Sequence, residues 1–242
     1  MFCAYDSNVG LKRDENQDRV RIEFLGENIS VAAVCDGMGG AASGGIASQI
    51  AIDAFFERVM VNFRPEMNEN SIRNLLVNAV QYANTLVYEK SREDAENNGM
   101  GTTCVAALVR GRSIHVVSVG DSRAYLLDDK GIRQITTDHT FVGMLYETGQ
   151  ITAEEAKVHP MRNMITKAVG VEPDIEVDYF GLDEDGNFDV FLCSDGLSGY
   201  CSDELIYKTV FGNNLDKAVA ELIAYANECG GKDNITAAVV AN

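Results

Sequence analysis

Ser30-Val31-Ala32-Ala33-Val34-Cys35-Asp36-Gly37-Met38-Gly39-Gly40 passes from an unbroken apolar run to one acidic residue and then to glycines. A run of this kind without polar alternation reads as a strand covered on both faces. The glycines release the chain from regular pairing, and a helical pattern starts at Ser43. Asp36 therefore ends a buried strand, at the turn into a helix. The same grammar recurs along the chain. Gly120-Asp121-Ser122-Arg123 follows the apolar segment 113–119, Ser194-Asp195-Gly196 follows 188–193, and Asp233-Asn234 opens a final strand, 234–240. Arg13-Asp14-Glu15-Asn16-Gln17-Asp18 precedes an early strand. Taken singly, each is an ordinary turn. Together, strand-end aspartates can converge on one point. Carboxylates so gathered repel one another unless a cation sits among them. The expected occupant is a hard divalent ion held by oxygen ligands.

Around these signatures the periodicity predicts strands at 2–7, 19–24, 30–35, 102–109, 113–119, 123–128, 132–136, 174–180 and 188–193. Gly111-Arg112 and Asp129-Lys130-Gly131 are short connections, which require antiparallel neighbours. Ile46, Ile50, Ala54 and Val61 recur at helical spacing after Ser43, which reads as a cap. A second helix is predicted over 71–94, with Asn62 to Asn70 as a loop, and further helices over 202–210 and 215–229. Residues 138–170 break the strand pattern and read as an inserted surface lobe, with a capped turn at Thr152. Long amphipathic helices on either side of antiparallel strands imply layers. The fold class expected is α+β, two stacked, mostly antiparallel sheets with helices outside both.

The chain has 242 residues, of which 46% are hydrophobic, enough for one sizeable core. It is read as a single domain, 1–242. The net charge is −17, from 20 basic and 37 acidic residues, so binding to nucleic acid or to an anionic membrane is not expected. Six cysteines include no C-x-x-C pair, and three lie inside apolar runs, which fits a reduced, cytoplasmic setting. No signal peptide or membrane span is evident, and a monomer is the default expectation.

Two hard metals bridged by one aspartate and a hydroxide suit phosphoester hydrolysis, because they lower the pKa of water and stabilise charge on the attacking and leaving oxygens. Arg13 is placed in sequence to give a bidentate contact to phosphate.

The ordered set Arg13, Asn16-Gln17-Asp18, Asp36-Gly37-Met38-Gly39-Gly40, Gly101-Thr102-Thr103, Gly120-Asp121-Ser122-Arg123, Ser194-Asp195-Gly196 and Asp233-Asn234-Ile235-Thr236 resembles the bacterial branch of the metal-dependent, type 2C serine/threonine protein phosphatases. The likeness covers essentially the whole chain. It implies a four-layer α/β/β/α sandwich and a flap lobe at about 138–170. It implies hydrolysis of phosphoserine and phosphothreonine in proteins by a metal-activated hydroxide at a binuclear Mn²⁺ or Mg²⁺ centre. By motif, Asp36 would bridge both ions, the Gly37 carbonyl would bind one, and Asp195 and Asp233 would hold the other. Asp18 would act through waters, and Asp121 with Asp195 would form a weaker third position. Arg13 would bind the substrate phosphate, and Asn234 would orient its neighbours. The partners implied are phosphorylated proteins and a cognate serine/threonine kinase. Gln17 and Met38 depart from the pattern, standing where many members carry a carboxylate and animal members a histidine. With no histidine at Met38, the leaving alkoxide would take its proton from a metal-bound water. His115, His139 and His159 are read as structural.

Overall fold

In the computed structural model, residues 1–39 and 43–242 are described; Gly40 of the glycine-rich turn lies outside them. The strands are β1 (Phe2–Asn8), β2 (Asp18–Gly26), β3 (Ile29–Met38), β4 (Gly101–Thr102), β5 (Cys104–Arg110), β6 (Ser113–Val119), β7 (Arg123–Asp128), β8 (Gly131–Gln134), β9 (Asp178–Asp183), β10 (Phe188–Cys193) and β11 (Ile235–Ala241). The helices are α1 (Ser43–Asn62), α2 (Glu69–Ser91), α3 (Phe141–Glu147), α4 (Ala153–Val158), α5 (Asp195–Ser198), α6 (Asp203–Val210) and α7 (Leu215–Glu228). One sheet runs β1-β11-β10-β7-β8 and the other β2-β3-β5-β6-β9, with β4 paired to β3. The strand pairs are antiparallel throughout.

Strand alternation distributes the apolar side chains over three cores. Val31, Ala33 and Cys35 of β3 face α1 and α2, while Ala32 and Val34 face the other sheet. On β10, Phe191 and Cys193 face α6 and α7, while Phe188, Val190 and Leu192 fill the space between the sheets. Both strands are thus covered on both sides, which is why their sequences carry apolar residues without alternation. The result is the four-layer sandwich, helices–sheet–sheet–helices.

Several elements differ from the sequence reading for identifiable reasons. Ile46 and Val61 point outward, at 37% and 62% exposure. The covered face of α1 runs instead through Ala47, Ala51, Phe55 and Val59, because the bulky Phe55 and Phe56 set the core side. Ser43 is already helical, and its hydroxyl donates to the Glu96 carbonyl (2.9 Å) instead of capping. The second helix starts earlier and ends earlier than predicted, since Asn68 accepts from the Ser71 N–H and closes its first turn. The strand expected at 174–180 forms at Asp178–Asp183. Ile175 and Val177 still pack on the first core, so their apolarity serves helix contact without strand pairing. The strand at 132–136 stops at Gln134, because the Thr136 hydroxyl replaces a ladder partner for the Ala124 N–H (3.1 Å). The short helix α5 was not anticipated. The Thr152 turn is a full capping box, as read.

Candidate active site

The β2–β3 register sets Asp18 directly opposite Asp36. Like charges facing across a ladder are unfavourable, so the sheet itself does not explain the pair. Neighbouring segments hold it in place. The Thr103 hydroxyl accepts from the Asp36 N–H (2.9 Å), while the Thr103 N–H and the Thr102 hydroxyl both donate to the Asp36 carbonyl (2.9 Å each). Thr103 Oγ1 also shares a hydrogen bond with Ser122 Oγ (2.7 Å), beside Asp121. Gly120 adopts φ +104°, and a Cβ there would meet the Thr103 side chain at 2.6 Å, so the residue before Asp121 must be glycine. Gly37 lies against the Gly44 carbonyl, which fills the place of a side chain.

The other sheet contributes from its facing end. Asp195 opens α5 immediately after β10, and Asp233 precedes β11. Asp18 links the two sheets. Its Oδ2 accepts from Ser194 Oγ (2.8 Å) and Thr236 Oγ1 (2.6 Å), while its Oδ1 is buried with no partner among the described residues.

Burial and mutual repulsion raise the pKa of Asp18, Asp36, Asp121 and Asp195. Burial, followed by the charges of Asp18, Asp195, Asp121 and Asp233, holds Asp36 well above the usual carboxylate range. Burial pushes Asp18 up to about 6, against the hydrogen bonds from Thr236 and Ser194. Burial and then the Asp195 charge push Asp121 up to about 7. Asp195 is also raised, by burial and then by Asp233, while a hydrogen bond with Asp36 opposes the rise. Among the described residues, no three Asp, Glu, His or Cys side chains already close on one point in ligating geometry. The donor set nevertheless suits a hard divalent ion. It is all oxygen, the charges of Asp18, Asp195, Asp121 and Asp233 all disfavour ionisation of Asp36, and Asp18 Oδ1 presents an orphaned lone pair.

Arg13, read as the phosphate contact, rests on Asp233 in this structure. Its NH2 donates to Asp233 Oδ2 at 2.8 Å, and that bond leads the rise in its pKa. Asn234 ties the N-terminal segment to the start of β11. Its Oδ1 accepts from the Gln17 N–H (2.8 Å), and its Nδ2 donates to the Val9 and Glu15 carbonyls (2.9 Å each), pinning the segment that carries Arg13. The histidines are occupied elsewhere. His139 Nδ1 accepts from the Gly120 N–H (3.0 Å), and His115 Nδ1 pairs with the Tyr179 hydroxyl (2.8 Å). His159 Nδ1 accepts from the Met161 N–H (3.1 Å).

A cleft of about 1000 Å³ opens between the aspartates and the 138–170 lobe. Asp121, Asp195 and Asp233 line its core side, and Val142, Tyr146 and Arg162 line the lobe side. Arg123 anchors the lobe by a double contact to Asp138 (2.6 and 3.0 Å). Arg162, Lys232 and the positioning role of Thr103 escaped the sequence reading. The chain carries signals for the last two, in Lys232 beside Asp233 and in the Gly101-Thr102-Thr103 match, but nothing local marks Arg162.

The sequence profile described as protein phosphatase 2C matches residues 12–239. The chain belongs to the protein phosphatase 2C family. This phosphatase is 34% identical to the serine/threonine phosphatase stp of Listeria monocytogenes serotype 4b, over 99% of this chain and 95% of the relative. It superimposes on the crystal structure of the serine/threonine phosphatase Stp1 from Staphylococcus aureus with a TM-score of 0.92 at 36% identity, covering 99% and 94% of the two chains. The catalytic domain of the serine/threonine protein phosphatase PstP, solved in complex with two manganese ions, aligns with a TM-score of 0.84 at 34% identity, covering 100% of this chain and 97% of that one. The phosphatase thus has the sandwich fold and family that its motifs implied, and divalent-metal use comes with the family.

Proposed function

We propose that this phosphatase hydrolyses phosphoserine and phosphothreonine in proteins at a centre of two Mn²⁺ or Mg²⁺ ions, with residues 1–242 acting as one catalytic domain. The observation that carries the reading is the electrostatic cluster of Asp18, Asp36, Asp121, Asp195 and Asp233, of which Asp121, Asp195 and Asp233 line a cleft of about 1000 Å³. Asp36 would serve both ions and the Gly37 carbonyl one of them. Asp195 and Asp233 would hold the second, Asp18 would act through water, and Asp121 with Asp195 would offer a weaker third position. When bound, the ions would supply a water of lowered pKa and neutralise charge on the phosphoryl oxygens.

The remaining work falls to the chain. Arg13, which rests on Asp233, would be the contact to the substrate phosphate, and Asn234 holds its loop in reach. Arg162 faces the same cleft and adds a second cation. No histidine lines the cleft among the described residues, so the leaving alkoxide takes its proton from water. Among the described residues no helix is long and apolar enough to cross a membrane. The free cysteines fit a reducing, cytoplasmic setting, and the substrates of such an enzyme would be the products of a serine/threonine kinase. The test is phosphate release from a phosphothreonine peptide with Mn²⁺, with EDTA and Asp36→Asn as controls. Activity that survives either control removes the assignment.

A further inference from the structure

The sandwich carries a second acidic cavity, at the end opposite the aspartate cluster. Asp189 lies on β10, paired with Leu127 of β7 and Ala241 of β11. The strand's alternation turns it toward the helix layer, on the side of Phe191 and Cys193. It is 6% exposed, yet among the described residues no hydrogen bond or ion pair reaches its carboxyl group. A carboxylate that borders a cavity with no protein partner is open to an incoming cation. Burial alone pushes its pKa up to about 6, which leaves it ionised at neutral pH.

The group borders a cavity of about 430 Å³ between the sheet end and the α6–α7 turn. Every charged residue lining it is acidic: Asp129, Asp189 and Asp216. Its apolar walls are led by Phe2, Phe211 and Leu215. Aromatic and aliphatic walls do not ligate a hard metal, but they suit the stem of an organic cation and the face of a guanidinium. The volume falls in the usual small-molecule range of about 300–1,000 Å³. Six residues of extended chain separate Asp189 from Asp195, which places this cavity roughly 20 Å from the cleft.

We propose that this cavity is a binding site for a small free organic cation, an alkylguanidinium or alkylammonium ion, whose head pairs with Asp189 and whose stem packs on Phe2 and Phe211. The ligand would be a basic metabolite sensed away from the catalytic cleft. This site does not depend on the catalytic reading, and its test needs no turnover.

The experiment titrates n-butylguanidinium into the full chain with Mn²⁺ present, followed by amide NMR shifts and calorimetry. Millimolar binding with shifts centred on Asp189, Ala241 and 211–215 is expected, weakened at least about tenfold in Asp189→Asn. Phe211→Ala should weaken binding with the charge intact. Asp189→Asn should melt no lower than the wild type at pH 7, which separates lost recognition from lost folding. No binding at 50 mM on an order-of-magnitude scale of weak affinity, equal binding by Asp189→Asn, or shifts confined to the cleft overturns the proposal. Tighter binding of a blocked arginine peptide than of butylguanidinium also overturns it, in favour of a partner's side chain.

Discussion

Removing the Asp18 charge should change how the metal-free protein responds to pH. Asp18 is 2% exposed and carries one unpartnered oxygen, so solvent screens it little. The fold raises its pKa from 3.8 to about 6. The folded state therefore holds a proton that the unfolded state releases near 3.8. Its stability contribution is fully present below that value and is lost as pH rises through about 6. Two pKa units correspond to about 3 kcal/mol, to order of magnitude. For a chain of this size that is a Tm change of roughly 6–12 °C. Asp121, pushed up to about 7, acts in the same direction and is coupled through Asp195, so the two do not add simply. The assay is calorimetric melting in EDTA between pH 4 and 8. Wild type should lose stability across this window. Asp18→Asn keeps an oxygen for Ser194 and Thr236 and turns an amide toward the neighbouring carboxylates, so its curve should be flatter. With saturating Mn²⁺ the wild-type slope should reverse, because ligation needs ionised carboxylates. Parallel slopes with and without metal, or an unchanged slope in Asp18→Asn, would refute the idea that these charges are crowded by the fold.

Thr103→Val preserves shape but strands the Asp36 N–H and the Ser122 hydroxyl. It should cost about 1–3 kcal/mol by thermal melting and about 10–100-fold in Mn²⁺ affinity by calorimetry. If Arg13 binds phosphate as proposed, Arg13→Ala should raise KM for a phosphopeptide about tenfold or more in steady-state kinetics, since a charged contact to phosphate would be lost. Asp195→Asn should reduce phosphate release by several orders of magnitude while the metal-free protein melts no lower, because burial and then the Asp233 charge disfavour its ionised form. Phe191→Ala empties the core under α6 and α7 and should cost about 3–5 kcal/mol by denaturant unfolding, with peptide turnover retained at low temperature.

Much of the architecture was written locally. The two-sided apolarity of β3 and β10 announced buried strands, and the short connections between β5 and β8 announced antiparallel order. The face of α1 was misread because aliphatic spacing at Ile46 and Val61 competes with the larger area of Phe55 and Phe56, and area decides burial. The strand near 174–180 slipped because Ile175 and Val177 satisfy a helix contact that period-two counting does not distinguish from pairing.

The aspartates show the same division. Their spacing and glycine neighbours are local properties, and turn chemistry makes them legible along the chain. Which hydroxyl supports Asp36, that Asp18 spans both sheets, and that Arg13 lies on Asp233 are contacts between segments up to 220 positions apart. The unpaired carboxylate of Asp189 is of this kind too, since in sequence it is one acidic residue in an apolar strand. Sequence determined which chemistry was present and where each strand ended. Tertiary structure decided which groups met, because burial, desolvation and charge coupling arise only when distant strands close on one another.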